Sequence, residues 1–411
     1  MHLRTLAGLL GLALGAGGLV GCGSDSAAGP QILRVGDGYD TIQEAVDAAK
    51  PGDLVLIEAG TYHEAVEVET ERLVIRGEDR NDVVLDGQDK LTNGFEVTAD
   101  QVAIENLTVQ HYAINGIIFT GSYYAEEPQS GPVGWRASYV TAASNGLYGL
   151  YAFGTGPGQF DHSYASGHPD SGIYVGQCQD CGAMVRDNVM EHNAIGYENT
   201  NASGTTVVAN TIRRNRIGMT ISSGGEEELA PQTGGIVAAN LVADNDAADA
   251  PVTEGGFGVG IVIAGGNDNE ITRNVVRGHP GAGIVVIDQD GFAPTGNRTT
   301  DNEVTDSPVG LALLLEAGGD VPGGDNCFSG NGDLPTVPAD LPSLLPCDGE
   351  AAESLGPATF TYPEAPPGPD PAEIPRPGDQ PNRPGEPDGP WKAPSRQAPK
   401  VDIASLERPT A

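Results

Sequence analysis

The chain has little positive charge. Its 411 residues include 21 Lys+Arg against 57 Asp+Glu, which gives a formal net charge of -36 at pH 7. A surface of this charge repels nucleic acid and other polyanions unless a cation intervenes, so nucleic-acid binding is excluded as the main function. An acidic, well-solvated surface that keeps the protein soluble accounts for the excess of carboxylates. Calcium bound at acidic turns is the more specific alternative explanation of this excess.

Metal-binding side chains are also scarce. The 7 His and 4 Met residues form no dense cluster, which argues against the soft-metal sites of copper-handling proteins. Acidic turns at 244–246, 267–270 and 288–290 offer the hard oxygen ligands that calcium takes, but none completes a calcium-loop signature. The sequence therefore predicts no metal site and no certain cofactor. Calcium is the one ion that these turns could hold.

Long hydrophobic runs are confined to the N-terminus. Residues 6–20 are apolar, a run too short to span a bilayer as a helix, and they indicate a signal peptide over residues 1–21. The segment Leu19-Val20-Gly21-Cys22 resembles the bacterial lipobox, in which the Cys becomes the lipidated N-terminus. The resemblance implies an acylated Cys22 and an exported protein held at the bacterial cell envelope, on a membrane surface or its periplasmic face. An ordinary signal peptide with a chance Cys is the alternative.

Cysteines are few, and their number is informative. Of the five, removing Cys22 leaves four, which suits two disulfides in an exported protein. Cys178 and Cys181 lie between two predicted strands, and residues three apart on a straight strand are about 10 Å apart, so a disulfide requires a turn there. A redox motif or half a zinc site are the alternatives for this pair. Cys327 and Cys347 are expected to close the C-terminal cap of the fold.

What the sequence does contain is a repeat built on asparagine. Asn188 and Asn210 are 22 residues apart, and later copies are separated by longer, loop-bearing intervals. Copies of the first repeated position are Asn106, Asn188, Asn210, Asn240, Asn274 and Asn302. A second position, five residues on, holds His111, Ser144, His168, Asn193, Asn215, Asn245, His279 and Ser307. An Asn amide both donates and accepts, so equivalent side chains one repeat apart can bond along a stack, which predicts a solenoid.

The entry to this repeat predicts a capping helix. Thr41 and Glu44 have the spacing of a capping box, apolar residues form one stripe over residues 41–50, and Pro51-Gly52 ends the pattern. A short amphipathic helix here would cover the open edge of the first coil.

These features resemble the right-handed parallel β-helix of the pectate-lyase-like superfamily, over about residues 33–346. The resemblance implies an all-β fold with a short N-terminal capping helix. We predict a flexible tether at 22–30, the β-helix at 31–350 and a Pro-rich disordered tail at 351–411. Polysaccharide lyases of this fold use an Arg or Lys base with calcium-bound carboxylates, and the uronan epimerases carry an Asp-Pro-His-Asp motif that this chain lacks. Residues 174–181 and 196–202 look like uncharacterised bacterial β-helix lipoproteins, a match that implies fold and location, not a reaction.

One predicted outward column contains a candidate catalytic pair. Aligning the repeats places Glu105, Ser138, His162 and Asp187 in equivalent slots about 4.8 Å apart along the axis. His162 beside Asp187 would be oriented for proton abstraction. A polar exterior with no catalytic role is the competing interpretation.

A second predicted column carries candidate glycan-binding residues. Tyr148 and Tyr174 would be neighbours in it, followed by Glu198, and tyrosine rings on a groove can stack on sugar faces. Further candidates nearby in sequence are His168, Asp170, Gln177 and His192. Stacked aromatic rings also stabilise a solenoid exterior without any ligand.

Two functional hypotheses follow. The first is a monomeric, lipid-anchored β-helix that binds a polysaccharide or cell-envelope glycan through its central coils, or serves as a structural surface protein. The second is a polysaccharide lyase, epimerase or hydrolase that acts on uronate-containing glycans. The first is favoured because the residues assemble no complete catalytic constellation.

Overall fold

The computed structural model describes residues 29–121, 127–253, 256–315, 323–355, 358 and 360–410. These residues form 31 β-strands and two short α-helices, α1 (Ile42–Ala48) and α2 (Leu341–Leu344). All the pairings between strands are parallel and connect one coil to the next, so the strands build a solenoid with three walls, here named sheets A, B and C. The predicted all-β solenoid is confirmed.

The strands are assigned to the walls by their pairing partners. Sheet A contains β1 (Ile32–Val35), β2 (Leu54–Ile57), β5 (Val74–Gly77), β12 (Gly158–Asp161), β15 (Met184–Arg186), β18 (Thr206–Val208), β21 (Ile236–Ala238), β24 (Glu270–Thr272), β27 (Arg298–Thr300) and β30 (Cys327–Ser329). Sheet B contains β3 (Gly60–Tyr62), β6 (Val83–Asp86), β13 (Tyr164–Ser166), β16 (Val189–Glu191), β19 (Thr211–Arg213), β22 (Leu241–Ala243), β25 (Val275–Arg277) and β28 (Glu303–Thr305). Two longer strands, β8 (Ala103–Gln110) and β10 (Trp135–Ala143), run through both of these walls. Sheet C contains β4 (Val66–Val68), β7 (Asn93–Val97), β9 (Asn115–Thr120), β11 (Tyr148–Phe153), β14 (Ser171–Cys178), β17 (Ile195–Ala202), β20 (Ile217–Ser222), β23 (Val259–Ala264), β26 (Ala282–Ile287), β29 (Val309–Leu314) and β31 (Thr336–Val337).

The interior is one continuous apolar core, because alternate residues of every strand point inward. Its widest side chains meet at the centre, where the ring of Trp135 lies 5.1 Å from that of Phe119 and 4.7 Å from that of Phe160. The indole Nε1 of Trp135 donates to the carbonyl of Gly156, so the polar atom of this buried side chain is satisfied.

Asparagine ladders hold the corners of the coil. In the ladder between sheets A and B, the Oδ1 of Asn210 accepts both the backbone N–H and the side-chain amide of Asn188, each at 3.0 Å. In the ladder between sheets B and C, the Oδ1 of Asn215 accepts the same two bonds from Asn193. Each Asn of the ladder hydrogen-bonds backbone groups of the turns that have no partner in a strand, so the predicted role of the repeated Asn is confirmed.

Three details of the ladders differ from the sequence alignment. Asn106 pairs in register with Tyr139 and donates to the carbonyl of Gly77, so it precedes the ladder position by one residue. The early members of the second ladder are Tyr112 and Asn145 instead of His111 and Ser144. A third ladder at the corner between sheets C and A, absent from the sequence analysis, consists of Gln232, Asn269, Asn297 and Asn326.

Both ends of the solenoid are closed. Thr41 caps α1 by accepting the N–H of Glu44, and Ile42, Ala45 and Val46 are buried against the first coils, which confirms the capping helix. At the other end, α2 and Leu345 close the core.

The two predicted disulfides are present. Cys178 is bonded to Cys181 across a turn, with Cα atoms 5.2 Å apart, and Cys327 is bonded to Cys347. Cys22 and the apolar segment before it lie outside the described residues. Within the part of the chain that the structure describes, no helix is long and apolar enough to cross a membrane.

The Pro-rich tail, here residues 360–410, lies against the solenoid. Its described residues contain only two short 3-10 turns, Pro371–Glu373 and Ile403–Ser405, which agrees with a segment that builds no core of its own. It differs from the free linker suggested by composition because it runs back from the C-terminal cap to the first coil, where Trp391 donates to Gly52, and then returns along sheet A to Leu406.

Candidate functional site

His162 and Asp187 lie at the corner between sheets A and B. His162 Nε2 is 3.9 Å from Asp187 Oδ2, so the two residues are neighbours, but stronger contacts hold each of them elsewhere. His162 Nδ1 is 2.9 Å from Asp161 Oδ1, and Asp187 accepts a 2.7 Å bond from Arg186. The imidazole also stacks on Tyr139, with ring centroids 4.7 Å apart. His162 is therefore oriented mainly by the carboxylate next to it in sequence.

The register of this corner differs from the predicted column. Ser138 pairs with Asp161, not with His162, and Glu105 belongs to the same column as Ser138. Asp161 is fully buried and bonded to Ser138 and Arg136. Burial alone raises the pKa of Asp161, but the hydrogen bonds from His162 and Arg136 outweigh it and hold that pKa well below its usual value. Because Asp161 stays ionised and hydrogen-bonded, it holds the neighbouring side chains in position.

A group of aromatic rings and carboxyls lies on the outward wall of sheet C. We name it the aromatic–acidic face; its members are Tyr148, Tyr151, Phe153, Asp170, Tyr174 and Glu198. Tyr151 stacks on Tyr174 with centroids 4.7 Å apart and an interplanar angle of 15°, and on Phe153 at 5.9 Å and 9°. Tyr148 lies 4.7 Å from Tyr151 and 5.1 Å from Tyr174. The predicted proximity of Tyr148 and Tyr174 is confirmed, but Tyr151 takes the slot between Ile118 and Tyr174 in the column.

The carboxyl group of Glu198 lies in an environment that favours its protonated form. Burial and the charge of Asp170 raise the pKa of Glu198 well above its usual value. Burial, followed by the charges of Asp170 and Glu198, also raises the pKa of the Tyr148 phenol. The next residue in the column after Glu198 is Thr220, and Thr200 donates to Glu198 at 3.4 Å. A carboxyl that stays protonated can donate a hydrogen bond to a ligand hydroxyl.

A loop after β20 walls one side of the face. The hydroxyl of Tyr174 donates to Glu227 at 3.0 Å, and Gln177 accepts the N–H of Leu229 at 3.2 Å. Burial raises the pKa of Glu227 as well. Tyr148, Tyr151 and Phe153 remain partly exposed beside this wall, whereas Tyr174 is buried, and Glu198 is partly exposed with its Oε2 buried. Further along sheet C, Phe360 of the tail packs on Val285 and Ala312, so the tail covers the later coils of this wall.

The other candidates lie elsewhere. His168 is fully buried in the ladder, where it bonds Asn145 and Asn193, and burial lowers its pKa to about 4, so it does not face a ligand from outside. His192 lies at the corner between sheets B and C, with Nδ1 3.9 Å from Asp249. Gln177 is buried at the end of β14. The residues that sequence reasoning missed are Phe153 and Glu227.

The structure does not group the acidic turns into a metal site. Asn245, at the centre of one of them, is a buried ladder residue. Among the described residues, no group of three or more His, Cys, Asp or Glu side chains is placed to hold a metal ion.

Comparison with known proteins identifies the fold. A family model described as the right handed beta helix region matches residues 115–304. The A-module of mannuronan C-5 epimerase AlgE6 from Azotobacter vinelandii is 14% identical, over 71% of this chain and 90% of that one, with a TM-score of 0.47. The enzymatically active domain of bacteriophage CBA120 tailspike protein 2 is 11% identical, over 74% of this chain and 47% of that one, with a TM-score of 0.50. Pectate lyase Pel9A is 14% identical, over 79% of this chain and 82% of that one, with a TM-score of 0.43.

The fold is a right-handed parallel β-helix. No curated protein sequence matches the chain. At 11% identity and a TM-score of 0.50, the tailspike domain shows a similarity of fold alone.

The protonated state of Glu198 leads to a stability prediction. Its pKa is raised on folding, so its contribution to stability is present below its unfolded pKa of about 4.5 and is lost as the pH rises, because the unfolded state then releases the proton first. We expect Glu198→Gln to raise the melting temperature relative to wild type by an amount that grows between about pH 5 and pH 8. Thermal unfolding across this pH range measures it.

The exposed Glu228, on the loop that walls the face, provides the control. Glu228→Gln should leave the pH profile of melting unchanged. A Glu198→Gln difference that stayed constant with pH would contradict the assigned protonation state.

Proposed function

We propose that the protein binds a polysaccharide on the aromatic–acidic face of sheet C. The observation that carries the proposal is the continuous row of Phe153, Tyr151 and Tyr174 rings with Tyr148 beside it, on the outward wall of sheet C. Tyr148, Tyr151 and Phe153 are partly exposed and can stack on sugar faces, while the buried Tyr174 ring supports Tyr151 from the next coil.

The charges around the face favour uncharged sugars. Burial, together with the nearby acidic residues Asp170, Glu198 and Glu227, raises the pKa values of Tyr148, Tyr174 and Glu198. A uronate would place a further negative charge beside these acidic residues, which is unfavourable without a cation. The protonated carboxyl of Glu198 can instead donate to a sugar hydroxyl.

The carboxyl geometry supports binding more than hydrolysis. Asp170 and Glu198 are directly hydrogen-bonded. Glycosidases instead separate their two carboxyls by about 5–5.5 Å when they retain configuration, or about 6.5–9.5 Å when they invert it. The raised pKa of Glu198 does suit a general acid, so cleavage of a bound glycan by a hydrolase, lyase or epimerase-like reaction is the second candidate.

The proteins with similar structures point to glycans in general. They include a mannuronan epimerase, a pectate lyase and a mannuronic acid specific polysaccharide lyase. These descriptions apply to those proteins and support a glycan partner for this chain only as a class.

We also propose that the protein acts outside the cytoplasm, anchored through an acylated Cys22. The lipobox-like sequence and two disulfides support this location. Metabolic labelling with an alkyne fatty acid should tag the wild type and not Cys22→Ser. Equal labelling of both would refute the anchor.

Tyr151→Ala should weaken glycan binding. The full chain is passed over a panel of neutral and acidic polysaccharides, and affinity is measured for each one that retains it. Removing the central ring of the row should lower that affinity about 10- to 100-fold, because one stacked aromatic contact and its buried area are lost.

Tyr139→Ala is the matched control, since Tyr139 is a stacked, half-exposed tyrosine at the other corner. Equal losses in both variants would remove the aromatic–acidic face as the binding site. Release of reducing ends or of unsaturated uronates from the panel, abolished by Glu198→Gln, would favour the enzymatic candidate over binding alone.

A further inference from the structure

The outward wall of sheet A is unusually apolar. In its first coils, Leu54, Leu56, Val74 and Ala103 form an outward cluster that is separate from the core, and each is no more than 1% exposed. Trp391 of the tail packs against this cluster. Parallel sheets are normally covered on both faces, and this wall receives its cover from the tail.

A second apolar cluster lies further along the same wall. Met184, Val208 and Ala238 are its buried members. The tail residues that pack against it are Val401, Ile403 and Leu406. The wall therefore has two apolar contact areas, whose nearest strands, β8 and β15, are three coils apart, and the tail joins them in an extended conformation.

Hydrogen bonds fix the position of the tail between these areas. Gln101 donates its side-chain amide to the carbonyl of Pro394 at 2.8 Å, and Arg273 donates to the carbonyl of Ala404 at 2.9 Å. Arg76 donates to the carbonyl of Pro387 at 2.9 Å. Proline-rich backbone exposes carbonyls that have no partner within their own segment, and side chains of the wall supply the donors.

We propose that the wall of sheet A is a docking surface for an extended Pro-rich segment, and that the tail of a second copy of this chain can take the place of its own. The wall recognises the tail by side chains and carbonyls that are identical in every copy, so exchange requires no new complementarity. Within one copy the tail is favoured, because it is held at high effective concentration. Weakening the contacts that hold a copy's own tail leaves the wall free to bind the tail of another copy.

The test uses the full chain with Trp391→Asp and Ile403→Asp, changes that lie only in the tail. Trypsin cleavage after Lys392 and Arg396 reports release of the tail, and should accelerate about tenfold or more, because two apolar contacts are lost. A labelled synthetic peptide of residues 386–408 then reports whether the wall is open. It should bind the double variant, and should bind the wild type at least about tenfold more weakly because the wall is occupied.

Ser405→Asp is the matched control, since Ser405 lies in the same 3-10 turn as Ile403 and is exposed. It should behave as wild type in both assays. Circular dichroism checks that the solenoid remains folded in each variant. Mixing the double variant with wild type and measuring mass by light scattering should show association that the peptide inhibits.

Three results would overturn the proposal. Tail release without peptide binding would show that the wall is not a docking surface for this segment. Unchanged protection from trypsin would show that the two apolar anchors do not hold the tail. Peptide binding without association on mixing would restrict the contact to a single copy and refute exchange.

Discussion

Asn215→Ala should lower the free energy of unfolding by about 3 kcal/mol or more. The Asn215 side chain accepts the backbone N–H of Asn193 and donates to the carbonyl of Met190 at 2.9 Å, in a position with no access to water. Alanine would leave both groups buried without these partners, and each unsatisfied buried group costs about 1–3 kcal/mol. Urea denaturation followed by circular dichroism measures the effect.

Thr211→Ala provides the control, because Thr211 lies on the outward side of the same coil and is half-exposed. Thr211→Ala should lower the free energy of unfolding by less than about 1 kcal/mol. If both variants lost similar stability, the ladder would not be the stabilising element described here.

Acid should destabilise the protein through its two buried ladder histidines. Burial lowers the pKa values of His168 and His279 from 6.5 to about 4. Their contribution to the free energy of unfolding is fully present above the unfolded-state pKa of 6.5. It is lost as the pH falls from 6.5 to about 4, because in that range the unfolded state binds the proton and the folded state does not. Each group contributes about 3 kcal/mol over this window. Protonation of Glu198 acts in the opposite direction over the upper part of this range, so the loss is measured as a difference between the melting curves of wild type and a histidine variant from about pH 7 to pH 4.

His168→Asn should remove part of this loss without breaking the ladder, since Asn occupies the equivalent position in neighbouring coils. Its stability should therefore fall less between about pH 6.5 and pH 4 than that of wild type. His63→Asn, at an exposed position, should leave the profile unchanged. The ionised Asp161 does not interfere, because its contribution is lost only below its unfolded pKa of 3.8. An acid profile unaffected by His168→Asn would contradict the assignment.

The fold could be predicted because its rules are local and repeated. Each Asn of the ladders marks a corner, and the residues after a recurrent Gly alternate between core and solvent. Prediction succeeded at the non-Asn ladder residues His168 and His279 but failed in the early coils, where Ser144 was assigned to the position that Asn145 occupies. At Ser163 the hydroxyl accepts the N–H of Val140 and the backbone N–H donates to Asn188. Tyr112 enters the second ladder only through its backbone N–H, so a search for Asn cannot find it.

The candidate site was predicted less well because it depends on register. Gly146 and Gly149 are both near the start of β11, and only Gly149 meets Gly116 and Gly172 of the neighbouring coils at a distance that excludes a Cβ. Choosing Gly146 placed Tyr148 in the slot that belongs to Tyr151. A one-residue shift likewise separated His162 from the column of Glu105 and Ser138.

The contacts of the tail could not be predicted from composition. Its proline content correctly indicates a segment without strands, but Trp391, Ile403 and Leu406 are isolated apolar residues in a polar background. Their partners are outward residues of sheet A, which lie hundreds of positions away in sequence. Glu227 was missed for a similar reason, because a loop residue has no periodic pattern that would place it beside Tyr174.

The most direct test of glycan binding at the aromatic–acidic face is hydrogen–deuterium exchange of the full chain with and without a polysaccharide that retains it. Binding there should slow exchange in the turn that contains Asp170 and in the loop that contains Glu227 and Leu229, while the corner at His162 and Asp187 stays unchanged. Slowed exchange at that corner instead, with none at Asp170 or Glu227, would contradict the proposed site.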